Sequence, residues 1–293
     1  MESRIFGATG MSVHPLGLGG AEIGHDPSVA QKTVDRLIGG MLDGGGNVID
    51  TAAGYADSEE KIGRAIQGRR DRCLIFTKVG PNWSPRAMRR DIERSLRRLG
   101  TDYVDLLQIW SASLSVLQRG EVIDTLESFK EEGLTRFIGY SGDADAARYA
   151  VSTGRLDSLQ TSISIADQEP LELTLPLCRE RKMGVIAKRP LANVAWLGED
   201  EHYVSGYGDE YRRRLNLLRY PFLADPPEHT VSTAFRFTLS VEGVHAAIVG
   251  SKTPGRWQQN AMEWEKGPLT AGEFAEIRNR WKETAGADWR GQR

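Results

Sequence analysis

The strongest constraint on this chain's fold is a rhythm. Eight short apolar runs, over residues 14–18, 46–50, 73–78, 103–110, 135–141, 156–163, 184–190 and 244–250, alternate with helical patterns. The helical patterns cover 29–42, 58–67, 85–99, 120–132, 144–153, 171–182, 229–240 and 256–264, and a last one covers 270–284. Gly44, Gly68, Gly100, Gly133 and Gly154 fall just past helix ends, where a glycine caps the last turn. Strands that alternate with helices pair in parallel through right-handed crossovers. Eight such units in one chain predict a (β/α)8 barrel, a TIM-type α/β fold. The run Val104-Asp105-Leu106-Leu107-Gln108-Ile109 lacks clean alternation, as a strand covered on both faces should. The rival is a doubly wound open sheet. Against it, no Gly-x-Gly-x-x-Gly follows the first strand; Gly17-Leu18-Gly19-Gly20 is only superficially similar.

The barrel reading makes residues 1–293 one domain, opened by an N-terminal hairpin that turns at Gly7-Ala8-Thr9-Gly10. One insertion breaks the rhythm, residues 192–228 after the seventh strand. In a barrel it lies on the C-terminal face, which makes it a lid or substrate loop.

Charge and composition exclude several roles. A formal net charge of −2 gives no overall attraction to nucleic acid or to an anionic membrane. The basic run from Arg86 to Arg98 is broken by Asp91 and Glu93 and carries its own apolar stripe (Met88, Ile92, Leu96, Leu99), so it reads as a solvated helix face. No window approaches the length of a membrane span and no apolar leader pattern opens the chain, and the two cysteines suit a cytoplasm. Cys73 and Cys178 lie in apolar or helical patterns and read as reduced core thiols. The five histidines are scattered without ligand spacing, so no metal is expected.

The chemistry gathers at strand ends. Asn47-Val48-Ile49-Asp50 is a buried strand ending on a carboxylate, followed by Thr51-Ala52-Ala53-Gly54-Tyr55 and a helix that starts at Ser58. A second strand ends at Thr77-Lys78. Carboxylate, phenol and amine would share one rim, where barrels build their active sites. A free phenol, with a pKa of about 10, is a poor acid at neutral pH. A lysine cation beside it favours the phenolate, and a carboxylate holds the lysine in place. The alternative is an Asp50–Lys78 pair that only ties two strands together, beside an ordinary tyrosine. Ser141, Gln160, Lys188 and Gly250 also fall at strand ends. After Gly250 come Ser251, Lys252, Thr253, Pro254, Gly255 and then Arg256-Trp257-Gln258-Gln259-Asn260, a loop leading into a helix. Helix N–H groups with a lysine and an arginine suit a phosphate ester, and barrels often bind phosphate after strands seven and eight.

Taken together these pieces resemble the aldo-keto reductases, a (β/α)8 family that uses NADP(H) without a Rossmann motif. The likeness runs from Arg4 to about Leu269. It rests on Gly17-Leu18-Gly19, Asp50-Thr51-Ala52 with Tyr55, Ser58-Glu59 with Ile62-Gly63, Thr77-Lys78-Val79-Gly80, Asp105-Leu106-Leu107-Gln108, Ile138-Gly139 with Ser141, and Gly250-Ser251 with Arg256 and Gln259-Asn260. The resemblance implies hydride transfer between a carbonyl and an alcohol carbon, with Tyr55 as general acid tuned by Lys78 and Asp50. It assigns Ser141 and Gln160 to the nicotinamide carboxamide, and Ser251, Lys252, Arg256, Gln259 and Asn260 to the adenosine and its 2′-phosphate. Gly20, Asp50, Lys188, Arg189, Pro190, Leu191 and Gly250 would complete the coenzyme contacts, and Trp83 and Trp110 would line the substrate. NADP(H) is expected over NAD(H), with a small carbonyl or alcohol substrate, polar or sugar-like given the Tyr, Arg and Asp content of 192–228.

Three departures qualify the resemblance. Trp110 stands where the family pattern has a histidine, Gly142 where it has an asparagine, and Lys188 where it has a stacking tyrosine. An indole offers one N–H donor and no acid–base chemistry. The alternative function is therefore a catalytically weak or inactive NADPH-binding regulator on the same fold.

Overall fold

The computed structural model describes residues 3–197 and 207–292. The chain opens with a two-stranded antiparallel hairpin, β1 (Arg4–Ile5) and β2 (Ser12–Val13). Gly10, in the left-handed region at φ 73°, closes its turn. Eight parallel strands follow: β3 (Leu16–Gly19), β4 (Val48–Asp50), β5 (Leu74–Val79), β6 (Val104–Trp110), β7 (Thr135–Ser141), β8 (Ser158–Ser162), β9 (Gly184–Lys188) and β10 (Ala246–Gly250). They pair in sequence order, and β10 bonds to both β9 and β3, so the sheet closes into a barrel. All eight predicted strands form, and the open-sheet rival is excluded.

The barrel's interior changes character along its axis because side chains alternate with period two. Val48, Phe76, Leu106, Ile186, Ala246 and Ile248 form an apolar floor with Phe6, Met11 and Val13 of the hairpin, and Phe6 is fully buried. Two residues further along their strands stand Asp50, Lys78, Gln108, Lys188 and Gly250. The hairpin therefore stops the N-terminal end of the barrel, and a polar layer faces the C-terminal mouth. A larger apolar shell, including Leu37, Met41, Ile92, Leu126 and Phe235, packs the helices onto the outside of the strands.

Two regions differ from the sequence expectation. The single helix expected over 171–182 is two pieces, Pro170–Leu173 and Leu175–Glu180, broken at Thr174. Pro176 is the cause, since proline supplies no N–H and disfavours helical backbone before it. The insertion 192–228 is largely structured where described: a turn at Ala192–Val194, a helix at Tyr207–Leu218 and a turn at Pro221–Ala224. Residues 198–206 of that expected lid lie outside the described residues. The helix is anchored from inside. Tyr211 Oη donates to Asp167 Oδ2 at 2.5 Å, Arg214 pairs with Asp167, and Arg214 Nη2 reaches the Arg290 carbonyl at 2.6 Å.

Candidate active site

Asp50 closes β4, and the register sets it beside Gly19 of β3 and Phe76 of β5. Lys78, two residues past Phe76, reaches back across the mouth. Its Nζ lies 2.5 Å from Asp50 Oδ1 and 2.9 Å from the Thr51 carbonyl. The other carboxylate oxygen accepts from Gln160 Nε2 at 2.9 Å and from Gln108 Nε2 at 3.5 Å. Ser141 Oγ then donates to Gln160 Oε1 at 2.8 Å. One continuous chain of polar contacts thus joins β4, β5, β6, β7 and β8. Every member of it is buried.

Tyr55 stands over this chain. Lys78 Nζ is 5.3 Å from the centre of its ring. The Trp110 indole meets the ring edge-on, with centroids 5.4 Å apart and planes at 84°. Gly54 leaves the room: a Cβ there would come within 2.7 Å of the indole. The loop is held by Ser58 Oγ, which donates to the Gly20 carbonyl at 2.7 Å, and by the Gly20 N–H, which donates to the Asp50 carbonyl at 2.7 Å.

The electrostatics follow from this geometry. Burial alone would lower the Lys78 pKa, but Asp50 and Tyr55 more than offset it, so the group is held as an ammonium. For Tyr55 burial wins instead. It raises the phenol above its ordinary value although Lys78 pulls the other way. The expected downward shift is therefore not the net result in the free site. Lys78 limits the rise and does not reverse it.

The remaining predicted residues fall into two further groups. Lys188 closes β9 and turns to Asp143, with Nζ 2.7 Å from Oδ2. Arg189 bonds to Ser162 Oγ at 3.0 Å and to the Gln292 carbonyl at 2.6 Å. Pro190 is buried and its carbonyl accepts from Thr238, while Leu191 packs against the core. The second group is the β10 loop and the helix Arg256–Glu265. Lys252 Nζ pairs with Asp26 Oδ2 at 2.7 Å. Ser251 Oγ accepts from the Thr253 N–H at 3.0 Å, and Arg256 and Gln259 are exposed while Asn260 is buried. Glu22 closes over Gly250, within 1.9 Å of where a Cβ would sit. Trp83 packs on Gly80, whose φ is 131°. It lines a cavity with Ser84, Val116, Arg119 and Glu121.

Backbone strain marks the same rim. Ala56, Ser111, Ala144 and Arg189 have φ of 42°, 54°, 55° and 55°, uncommon for residues with a Cβ. They directly follow Tyr55, Trp110, Asp143 and Lys188. Such strain clusters where surrounding structure fixes functional groups. Sequence reasoning passed over His25, Glu22, Asp26 and Asp143. The Gly20–Gly24 spacing that brings the first two to the mouth is the only trace they leave in the sequence.

The donor set fits a dinucleotide. A hydroxyl and an amide, Ser141 and Gln160, suit a carboxamide. A helix N-terminus flanked by Lys252 and Arg256 suits a phosphate ester. A cavity of about 420 Å³ lies to one side, lined by Ser113, Leu114, Gln118, Asp145 and Arg290 among others and by none of Asp50, Tyr55 or Lys78. Among the described residues no helix is long and apolar enough to cross a membrane.

The chain is thus a (β/α)8 barrel with a buried Lys78–Asp50 pair and Tyr55 gathered at its C-terminal mouth. Residues 15–282 match the model of the aldo/keto reductase family, and the chain belongs to that family of carbonyl–alcohol oxidoreductases. It is similar to the aldo-keto reductase AKR11C1 from Bacillus halodurans (holo form), at 28% identity and a TM-score of 0.81 over 99% of each chain. An aldo-keto reductase from Klebsiella pneumoniae in complex with NADPH shares 25% identity at a TM-score of 0.75, over 95% of this chain and 94% of that one. The NADH-specific methylglyoxal reductase of Escherichia coli is 32% identical over 221 residues, 65% of this chain and 68% of that protein. The match to an oxidoreductase of Bacillus subtilis, YqkF, spans 65% of that protein's length.

Proposed function

We propose that this chain is an NADP(H)-dependent oxidoreductase that interconverts a small carbonyl compound and its alcohol, with Tyr55 as the general acid and base. The observation that carries it is the buried Lys78–Asp50 pair, at 2.5 Å, beneath the Tyr55 ring. When bound, the coenzyme supplies or accepts the hydride. The protein moves the proton. Tyr55 Oη donates to the carbonyl oxygen in reduction and takes the proton back in oxidation. Lys78 stabilises the phenolate left behind, and Asp50, fixed by Gln160, keeps Lys78 in place and charged. Ser141 and Gln160 would hold the carboxamide, while Lys252 and Arg256 would hold the 2′-phosphate. The structural relative solved with NADPH supports NADP(H). Trp110 would form one wall of the substrate site.

The test is Tyr55→Phe, assayed by coenzyme absorbance against aldehydes, ketones and sugars. Turnover should fall about 10³-fold, within the range for loss of an acid–base group, while NADPH still quenches tryptophan fluorescence. Unchanged turnover would overturn the assignment.

A further inference from the structure

Tyr55 needs a way to recover its proton after each reduction, and neither Lys78 nor Trp110 offers one that exchanges with solvent. Lys78 bonds to Tyr55 as well as to Asp50 and the Thr51 carbonyl, but its side chain is 2% exposed, so it has no solvent to draw a proton from. Trp110 has an indole N–H, which does not titrate. The imidazole of His25 is different. It is exposed, and it meets the Tyr55 ring edge-on with centroids 5.4 Å apart and planes at 62°.

That contact is built into the backbone. His25 ends the short helix Ala21–His25, which follows β3. Gly24 lies so close to the Tyr55 loop that a Cβ would come within 1.9 Å of the Tyr55 carbonyl oxygen and 2.8 Å of Ser58 Cβ. Gly20 is also confined, with Ser58 Oγ 2.7 Å from where its Cβ would be. Two glycines one helical turn apart thus bring two loops to backbone contact. The edge of the imidazole meets the Tyr55 ring as a result. Glu22 lies near His25 on the same helix, and Lys252 of the β10 loop faces Glu22. Among the described residues, the charged groups Lys78, Asp50, Arg189 and Glu22 face Tyr55.

We propose that His25 carries protons between Tyr55 and solvent, and so restores the phenol after each reduction. The role rests on the acid function proposed for Tyr55. In the reducing direction the phenol O–H bond breaks as the alcohol O–H bond forms, and the carbonyl carbon takes the hydride that a reduced nicotinamide coenzyme supplies. An N–H bond of the His25 imidazolium then breaks to return a proton to the phenolate, directly or through one water. The neutral imidazole regains its proton from solvent. Histidine suits this duty because it is the ordinary side chain that changes charge between pH 5 and 8. In oxidation the same transfers run backwards.

His25→Ala, His25→Gln and wild type would be compared for kcat, KM and coenzyme binding from pH 5.5 to 9. His25→Ala should lose about tenfold in kcat, at the low end for acid–base groups because water substitutes in part, with KM and NADPH affinity within about twofold. Added imidazole should restore kcat in proportion to its concentration, while equal potassium chloride should not. The wild-type profile should show a break between pH 5 and 8 that His25→Gln lacks. A variant with wild-type kcat and profile overturns the role. So does a loss of kcat that imidazole does not repair and that leaves the profile intact, since this is the mark of packing alone. Wild-type protein that consumes no coenzyme with any carbonyl overturns the function proposed above.

Discussion

Lys188 Nζ stands 2.7 Å from Asp143 Oδ2, with the lysine side chain 15% exposed and the carboxylate 1%. The resemblance placed Lys188 against the nicotinamide; in the free protein it neutralises a buried carboxylate. Asp143 Oδ1 meanwhile accepts from Thr161 Oγ1 at 2.9 Å and from the Ser162 N–H at 2.7 Å. Burial alone would raise the Asp143 pKa, but Lys188 and the Ser162 N–H bring it below its ordinary value, so the group is ionised. Lys188→Met should therefore strand a buried charge and destabilise the fold by about 3 kcal/mol. Adding Asp143→Asn should recover part of that loss. Calorimetry on the two single variants and the double variant would measure the coupling.

Asp26 holds Lys252, the lysine assigned to the 2′-phosphate, at 2.7 Å on the protein surface. A phosphate arriving there must draw Lys252 away from a carboxylate and then sit beside that carboxylate, whereas a ribose hydroxyl meets no such repulsion. Asp26→Asn should therefore tighten NADPH binding about threefold, in keeping with the small worth of exposed pairs, and leave NADH unchanged. The gain should shrink at high salt, because exposed charges are screened. Fluorescence titrations with both coenzymes at two ionic strengths would decide the point.

The pH dependence of Tyr55 is best read in His25→Gln. Burial lifts the phenol above its ordinary value, so Tyr55 remains protonated through neutral and mildly alkaline pH. Reduction needs the protonated form. Its kcat in this variant should stay flat from pH 6 to 9 and fall only as pH passes the ordinary phenol value of about 10. Oxidation needs the phenolate and should rise with pH over the same interval. A reduction rate that falls below pH 9 in this variant would show that the phenol ionises more easily than its burial implies.

The barrel was legible in the sequence because parallel strands covered on both faces leave apolar runs, and Asp50, Tyr55, Lys78, Ser141 and Gln160 could be placed because strand ends are readable. Ser84 and Gly100, which cap the helix Pro85–Leu99, mark its ends in the sequence as clearly as in the structure. The helix Tyr207–Leu218 was passed over, although Tyr211, Leu215 and Leu218 recur at helical spacing and are buried. Its buried face also holds Arg214, which answers to Asp167 some 47 residues away. A charged residue on a buried face masks the amphipathic pattern. The contacts of His25, Asp26 and Asp143 with Tyr55, Lys252 and Lys188 were illegible for a related reason. They join loops from different strands, and loop proximity depends on local glycine geometry and leaves no periodicity.

Trp110 offers the sharpest test of how the mouth is shaped. Its indole lies edge-on to Tyr55 and covers Gly54, where a methyl group would come within 2.7 Å of the ring. Gly54→Ala should push the indole against the phenol and lower kcat by about tenfold, a modest share of the 10²-fold that small misplacements can cost. Trp110→His removes the bulk and places a titratable donor beside Tyr55. It should raise turnover of small aldehydes by about tenfold, less than the 10²–10³ credited to a fully pre-positioned donor. In that background Gly54→Ala should cost little, because the atoms it struck are gone. The two sites are in contact, so their effects should be non-additive. Equal losses from Gly54→Ala in both backgrounds would show that Gly54 serves the Tyr55 backbone and not the indole.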